Sequence, residues 1–321
     1  MRPVRLVAAA LAVLTAAGAC GGGPAEGPSP GAAAPAATPA PLRLPLHVAR
    51  VRGTDLYYVE HGSGIPVVLV HGSVGTLDSW RAQVAAFASR FRVIAYSRRF
   101  HPPNAARRDE QPYSVSLHAD DLIGLIEALG LERVHLVGSS YGAYVALLVT
   151  LRRPELVRSL VLAEPPMLPW IARTPWGDSL RQVFEATVLD ATQRAFQRGD
   201  SLDALRRFVD GMSGRAGRFD GLPEADRAAL LRTAFELRLE LAADPAVYTP
   251  ALSCAEVGGI RHSVLLVTGE RSPRVFHVIT EELARCLAAE ALVTVPGAGH
   301  DMHADNPAFY NAAVLQFLLR N

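Results

Sequence analysis

The chain has 321 residues, half of them apolar, and 32 basic side chains against 31 acidic ones leave a net charge of +1. A balance that close gives no field to gather nucleic acid or an anionic membrane surface. Every basic residue is arginine, so lysine Schiff-base and P-loop chemistry are excluded.

The first residues, Met1 to Arg5, are basic, and Leu6 to Ala17 form an apolar run too short for a permanent bilayer span. Small residues then lead to Cys20. This pattern predicts an export signal over residues 1–19, and Ala17-Gly18-Ala19-Cys20 is similar to a bacterial lipoprotein box in which Cys20 carries the lipid. The expected localisation is outside the cytoplasm, anchored to a bacterial membrane through Cys20, with plain secretion as the alternative. Residues 20–43 are nearly all Gly, Pro, Ala and Ser, too poor in apolar bulk to pack, and read as a disordered tether.

From residue 44 onward short apolar runs alternate with helical patterns, the mark of an α/β domain with a mainly parallel sheet covered on both faces. Strands are expected at 56–60, 66–70, 92–96, 134–137, 159–163, 263–268 and 291–295. Helices are expected at 79–90, 116–129, 141–152, 275–288 and 307–319. Between 168 and 251 there is no good strand; amphipathic helices at 177–197, 202–212 and 224–243 predict a helical cap set between two halves of the core, 44–167 and 252–321. Trp170, Trp176, Phe184 and Phe208 either line an apolar pocket beneath that cap or form its own core.

The most informative stretch is Gly138-Ser139-Ser140-Tyr141-Gly142, at the junction of the strand ending near Val137 and the helix from Tyr141. A Gly-x-Ser-x-Gly in that setting bends the chain sharply and pushes the central side chain out as an exposed nucleophile. Upstream, His71-Gly72-Ser73-Val74-Gly75 follows a strand. Near the end, Gly297-Ala298-Gly299-His300 follows the last strand and precedes the final helix.

With these three motifs the chain resembles the α/β-hydrolase fold family from about residue 45 to 321, as a cap-bearing serine hydrolase of the esterase type. The resemblance implies that Ser140 attacks, that His300 is its base, and that the backbone amides of Ser73 and Tyr141 form the oxyanion hole. His303 competes for the base and reads better as ordering the turn before Pro307. His71 reads as a structural histidine that braces its loop. Many relatives place the acid after the strand equivalent to 263–268, but here that loop is Gly269-Glu270-Arg271-Ser272-Pro273, with Ser272 where an Asp is expected. Glu164, at the end of the strand 159–163, is the preferred acid, as in family members that carry it after this earlier strand; Glu270 or no acid at all are the alternatives.

Arg98 and Arg99 stand where relatives often have an Asp-x-Arg-Gly turn. They read as a solvated structural pair, with contact to an anionic substrate or to cap carboxylates as the other options. Cys254 and Cys286 are expected to form a disulfide in an oxidising compartment, with two free thiols as the alternative. A serine nucleophile implies acyl transfer to water on a small-molecule ester, lactone or thioester, with no metal or organic cofactor called for. Carbon–carbon bond hydrolysis, cofactor-free perhydrolysis and a non-catalytic ligand-binding relic remain as alternatives.

Overall fold

The computed structural model describes residues 44–104, 113–248, 250–287 and 289–321. The expected export signal, Cys20 and the tether lie outside the described residues. Among those described, no helix is long and apolar enough to cross a membrane.

The sheet is built from β1 (His47–Val51), β2 (Thr54–His61), β3 (Pro66–Val70), β4 (Arg92–Tyr96), β5 (Val134–Ser139), β6 (Val157–Ala163), β7 (Ser263–Gly269) and β8 (Ala291–Val295), in the spatial order β1-β2-β4-β3-β5-β6-β7-β8. β1 and β2 run antiparallel to their neighbours; from β4 to β8 all pairings are parallel. The strand β1 was not anticipated. It is an edge strand with His47, Val48 and Arg50 exposed, so its signal is one inward residue in two, and pairing with β2 supplies the rest.

The helices are α1 (Arg81–Phe87), α2 (Val115–Ala128), α3 (Tyr141–Arg152), α4 (Gly177–Phe184), α5 (Asp190–Gln197), α6 (Ser201–Ser213), α7 (Glu224–Leu231), α8 (Ala234–Ala242), α9 (Pro245–Tyr248), α10 (Cys254–Gly258), α11 (Arg274–Cys286), α12 (Met302–Asp305) and α13 (Pro307–Arg320). Alternation along each inner strand feeds two cores. Val68 and Val70 face α2 and α3, whereas Val67 and Leu69 face the side of α1 and α13. Both faces being covered, these strands read as continuous apolar runs. Burial of each such side chain contributes about 1.5–3 kcal/mol.

Between β6 and β7 the described residues form helices and no strand. The stretch expected as one helix over 177–197 is α4 and α5 joined through a π-turn at Glu185–Leu189. The stretch expected as one helix over 224–243 is broken: the Thr233 hydroxyl bonds back to the Leu230 carbonyl at 2.7 Å, α7 ends, and α8 starts afresh. The amphipathic expectation also fails in α8, whose buried side carries Glu236 and Glu240 together with Leu237.

Cys254 and Cys286 are joined by a disulfide with Cα atoms 5.2 Å apart, clipping α10 to the end of α11 across a sequence separation of 32. Closing a loop of that length removes about 3–4 kcal/mol of unfolded-state freedom. Denaturant titration with and without reductant is therefore expected to show a stability loss of about 2–4 kcal/mol on reduction; coincident curves would mean that the bridge contributes nothing.

Candidate active site

Ser140 sits at the turn between β5 and α3 with φ 52° and ψ −125°, a strained conformation for a residue bearing a Cβ. Its neighbours permit the bend because they lack side chains. A Cβ on Gly142 would run into the carbonyl oxygens of Val70 and His71, and one on Gly138 would press on the backbone of α3. The turn is tied to the next strand: the Ser140 amide donates to the Ala163 carbonyl at 2.7 Å.

Glu164 is the next residue after that carbonyl. It too is left-handed, with φ 46°, and it is wholly buried. Parallel pairing puts Ser139 opposite Ala163 and Ala163 opposite Val267, so the ends of β5, β6 and β7 meet at one sheet edge. His300 reaches over this edge from the loop after β8. Its Nε2 lies 2.8 Å from Ser140 Oγ, and its Nδ1 lies 2.6 Å from Glu164 Oε2. The ring of Phe276 stacks on the imidazole with centroids 4.0 Å apart.

The carboxylate is fully engaged. Oε1 accepts from the Thr268 hydroxyl at 2.5 Å and the Gly269 amide at 3.0 Å, and Oε2 accepts from the Ser272 hydroxyl at 3.0 Å as well as facing His300. Ser272, the residue found where an Asp is expected, thus donates to an acid that arrives from the neighbouring strand. Glu270 is exposed and accepts from the Gly297 amide at 2.6 Å. His303 makes no bond to Ser140. It packs against Trp80 with ring centroids 4.5 Å apart, and its carbonyl accepts from Gln83.

Tyr141 opens α3, where a helix leaves its first amides without intrahelical partners. The Ser73 amide lies in the loop after β3, and among the described residues neither of these two amides has a backbone partner. His71 braces that loop: Nδ1 is 2.8 Å from the Gly72 carbonyl and Nε2 accepts from the Arg98 amide at 2.9 Å. Burial first, then the charges of His101 and Arg98, hold its pKa well below the usual imidazole range, so the ring stays neutral.

Arg98 and Arg99 are not solvated. Arg99 makes two 2.7 Å bonds to the Asp121 carboxylate, and Arg98 lies fully buried between the loop after β3 and the cap residue Glu236, 3.7 Å away. Burying two guanidinium groups is costly, and the carboxylates of Asp121 in α2 and Glu236 in α8 offset that cost.

A cavity of about 420 Å³ opens above Ser140 and His300. Ser73 and Val74 line one wall, and Phe208, Met212 and Leu230 of the cap line another. Of the four aromatic residues considered from sequence, only Phe208 belongs to that lining. Trp170 is buried and donates to the Leu252 carbonyl, Trp176 is half exposed beside Arg274, and Phe184 packs edge-on against Phe276.

A parallel sheet with this order, a Ser at a strained strand-to-helix turn and a His from the loop after the last strand define a hydrolase of the α/β class. Residues 65–307 match the sequence profile of the alpha/beta hydrolase fold, and the chain belongs to that family. The chain is 28% identical over 278 residues to the putative carbamate hydrolase RutD of Caulobacter sp. (strain K31), covering 82% of this chain and 95% of that protein. It is also 28% identical over 269 residues to the 2-(acetamidomethylene)succinate hydrolase of Mesorhizobium japonicum, covering 81% and 90%. The carboxylesterase CesB (YbfK) of Bacillus subtilis superposes with a TM-score of 0.66 at 19% identity, covering 88% of this chain and 93% of that one.

The turn makes a sharp prediction. Gly142→Ala sets a Cβ against rigid backbone, so thermal unfolding is expected to show a loss of about 3 kcal/mol or more, whereas Gly130→Ala, with open space around it but φ 62°, should cost only about 1 kcal/mol.

Proposed function

We propose that the protein is a serine hydrolase that cleaves a carboxylic ester, or a related acyl compound, through an acyl-enzyme on Ser140. The observation that carries this reading is the unbroken line from Ser140 Oγ to His300 Nε2 and from His300 Nδ1 to Glu164. A hydroxyl becomes a nucleophile when a base within hydrogen-bond reach takes its proton, and an imidazole serves because its ordinary pKa lies near neutrality.

In this scheme Ser140 Oγ attacks the carbonyl carbon as its proton passes to His300. Glu164 holds the ring's Nδ1–H and stabilises the imidazolium without taking the proton itself. The electron pair of the carbonyl moves to its oxygen, which accepts hydrogen bonds from the backbone N–H groups of Ser73 and Tyr141. His300 then gives its proton to the leaving alcohol, the C–O bond breaks, and a water activated by His300 releases the acid. Names borne by similar proteins, a carbamate hydrolase and a carboxylesterase, describe reactions at an acyl carbonyl and support the class. The cap side of the cavity carries Phe208, Met212 and Leu230 together with Arg218, Asp226 and Thr233, so a substrate would meet both apolar and polar side chains there.

Export is part of the proposal: the residues before Leu44 would deliver the chain across a membrane and fix it there through lipid on Cys20. Replacing Cys20 by Ser is expected to move the protein from the membrane pellet to the soluble extracytoplasmic fraction; an unchanged distribution would exclude the anchor.

Purified mature protein is expected to hydrolyse nitrophenyl esters of graded chain length and to be labelled at Ser140 by a fluorophosphonate. Absence of both in folded protein would sink the reading. Glu164→Gln should lower kcat by about 10³–10⁴ with Tm preserved, and Glu270→Gln should leave kcat within about twofold, since it only accepts from the Gly297 amide at the surface. A larger loss at Glu270 would transfer the acid to that residue.

A further inference from the structure

Behind Ser73 lies a buried polar cluster that the scheme above does not use. Arg98 donates through Nε to the His71 carbonyl at 3.0 Å and through Nη2 to the Gly72 carbonyl at 3.1 Å, while His101 Nδ1 is 2.8 Å from the Gly75 carbonyl. From the cap, Glu240 Oε1 accepts from the Ser73 hydroxyl at 2.7 Å, and Glu236 Oε2 accepts from the Val74 amide at 3.5 Å. Arg98, His101 and Glu236 are wholly buried and Glu240 nearly so.

The grip has a geometric consequence. A peptide unit is planar and trans, so fixing a carbonyl on one side fixes the direction of the next residue's N–H on the other. The Gly72 carbonyl held by Arg98 belongs to the same unit as the Ser73 amide. The loop also needs holding, because Val74 has φ 52°, a conformation that a β-branched residue keeps only where its surroundings enforce it.

We propose that Glu236 and Glu240 of α8 are positioning residues: through Arg98 and the Ser73 hydroxyl they orient the Gly72–Ser73 peptide, so that a seated cap is a condition for stabilising the oxyanion. The inference rests on the acyl-transfer reading and adds the cap to its machinery.

Protons take part in the cluster. His101 Nδ1 donates to Gly75, so its Nε2 carries a lone pair, and that atom faces Glu236 Oε1 at 3.0 Å. Burial, then the charge of Arg98, holds His101 well below the usual imidazole range, so a neutral ring stands beside Glu236. Around Glu240 stand Glu236 on its own helix, Arg98 from the loop after β4, Tyr113, Tyr141 of α3, and Tyr248 of α9, whose hydroxyl donates at 2.5 Å. Burial and then the Glu236 charge raise the Glu240 carboxyl to about 8. A carboxyl raised on folding binds its proton more tightly in the native state. Its stabilisation is complete below the ordinary carboxyl range, diminishes above it, and is gone once pH passes about 8, when two like charges face one arginine.

The test compares steady-state kinetics of wild type, Ser73→Ala, Glu240→Ala, Glu240→Gln and the Ser73→Ala/Glu240→Ala double variant on one nitrophenyl ester. Ser73→Ala keeps the amide and cuts only the tether. It and Glu240→Ala are each expected to lower kcat about 10- to 100-fold with KM within about threefold, and the double variant to be no worse than the poorer single one. Glu240→Gln, the neutral isostere, should keep kcat at pH 7 and abolish a fall in wild-type kcat near pH 8. Retention of kcat in Ser73→Ala, additive losses in the double variant, or an alkaline limb unchanged by Glu240→Gln would overturn the inference. If Glu240→Ala does not fold, Ser73→Ala and the Glu240→Gln profile decide. An inactive wild type that no fluorophosphonate labels would instead remove the acyl-transfer reading, and this inference with it.

Discussion

Glu164 is the constraint on which the rest of the site depends. A carboxylate taken wholly out of water loses several kcal/mol of hydration, and only donors that replace the water offset that loss. Thr268, Gly269, Ser272 and His300 each supply a bond to it. Charge-assisted bonds of about 1.5–3 kcal/mol apiece are of the size required. Three of these donors come from the end of β7 and the loop behind it, so the carboxylate that follows β6 is held by the neighbouring strand. In that loop Ser272 supplies a hydroxyl donor to a carboxylate that arrives from the end of β6.

Strain is concentrated at the same sheet edge. Ser140 and Glu164 both have left-handed φ, and the Ser140 amide bonds to the carbonyl immediately before Glu164. Strained residues of this kind cost on the order of 1–3 kcal/mol each and persist where the surroundings over-determine them. Here the surroundings are β5, β6 and α3, buried almost throughout. The packed interior holds the turn open, and the hydroxyl and the carboxylate are left no freedom except to face His300.

Much of this was legible in the sequence because it rests on local rules. A Gly-x-Ser-x-Gly between an apolar run and an Ala-rich helix fixes the turn, and Glu164 stood out once Ser272 failed as an acid. The inner strands were legible because burial on both faces leaves a run without interruption. What escaped was set by partners distant along the chain. β1 depends on pairing with β2, the break after α7 depends on one hydroxyl bonding backward, and nothing local says that Arg98 is buried. Charged residues pattern as surface unless their counter-ions are known, and the counter-ions of Arg98 lie more than a hundred residues away in α8.

Two of the ion-paired contacts between cap and core differ in weight. At the mouth of the cavity Arg218 pairs with Asp305, whose other oxygen accepts from the Gly299 amide beside His300. Both side chains of that pair are partly exposed, at 29% and 19%, and such pairs contribute about 0–1 kcal/mol. The Arg98 cluster is buried on every side, and removing one partner from a buried pair costs about 3–5 kcal/mol. A cap that moves to admit substrate will therefore part first at Arg218 and Asp305, where water can replace the bond, while α8 stays seated on the loop after β3. On this ordering the cavity opens beside His300 while the Gly72–Ser73 peptide keeps the partners that Arg98 and Glu240 supply.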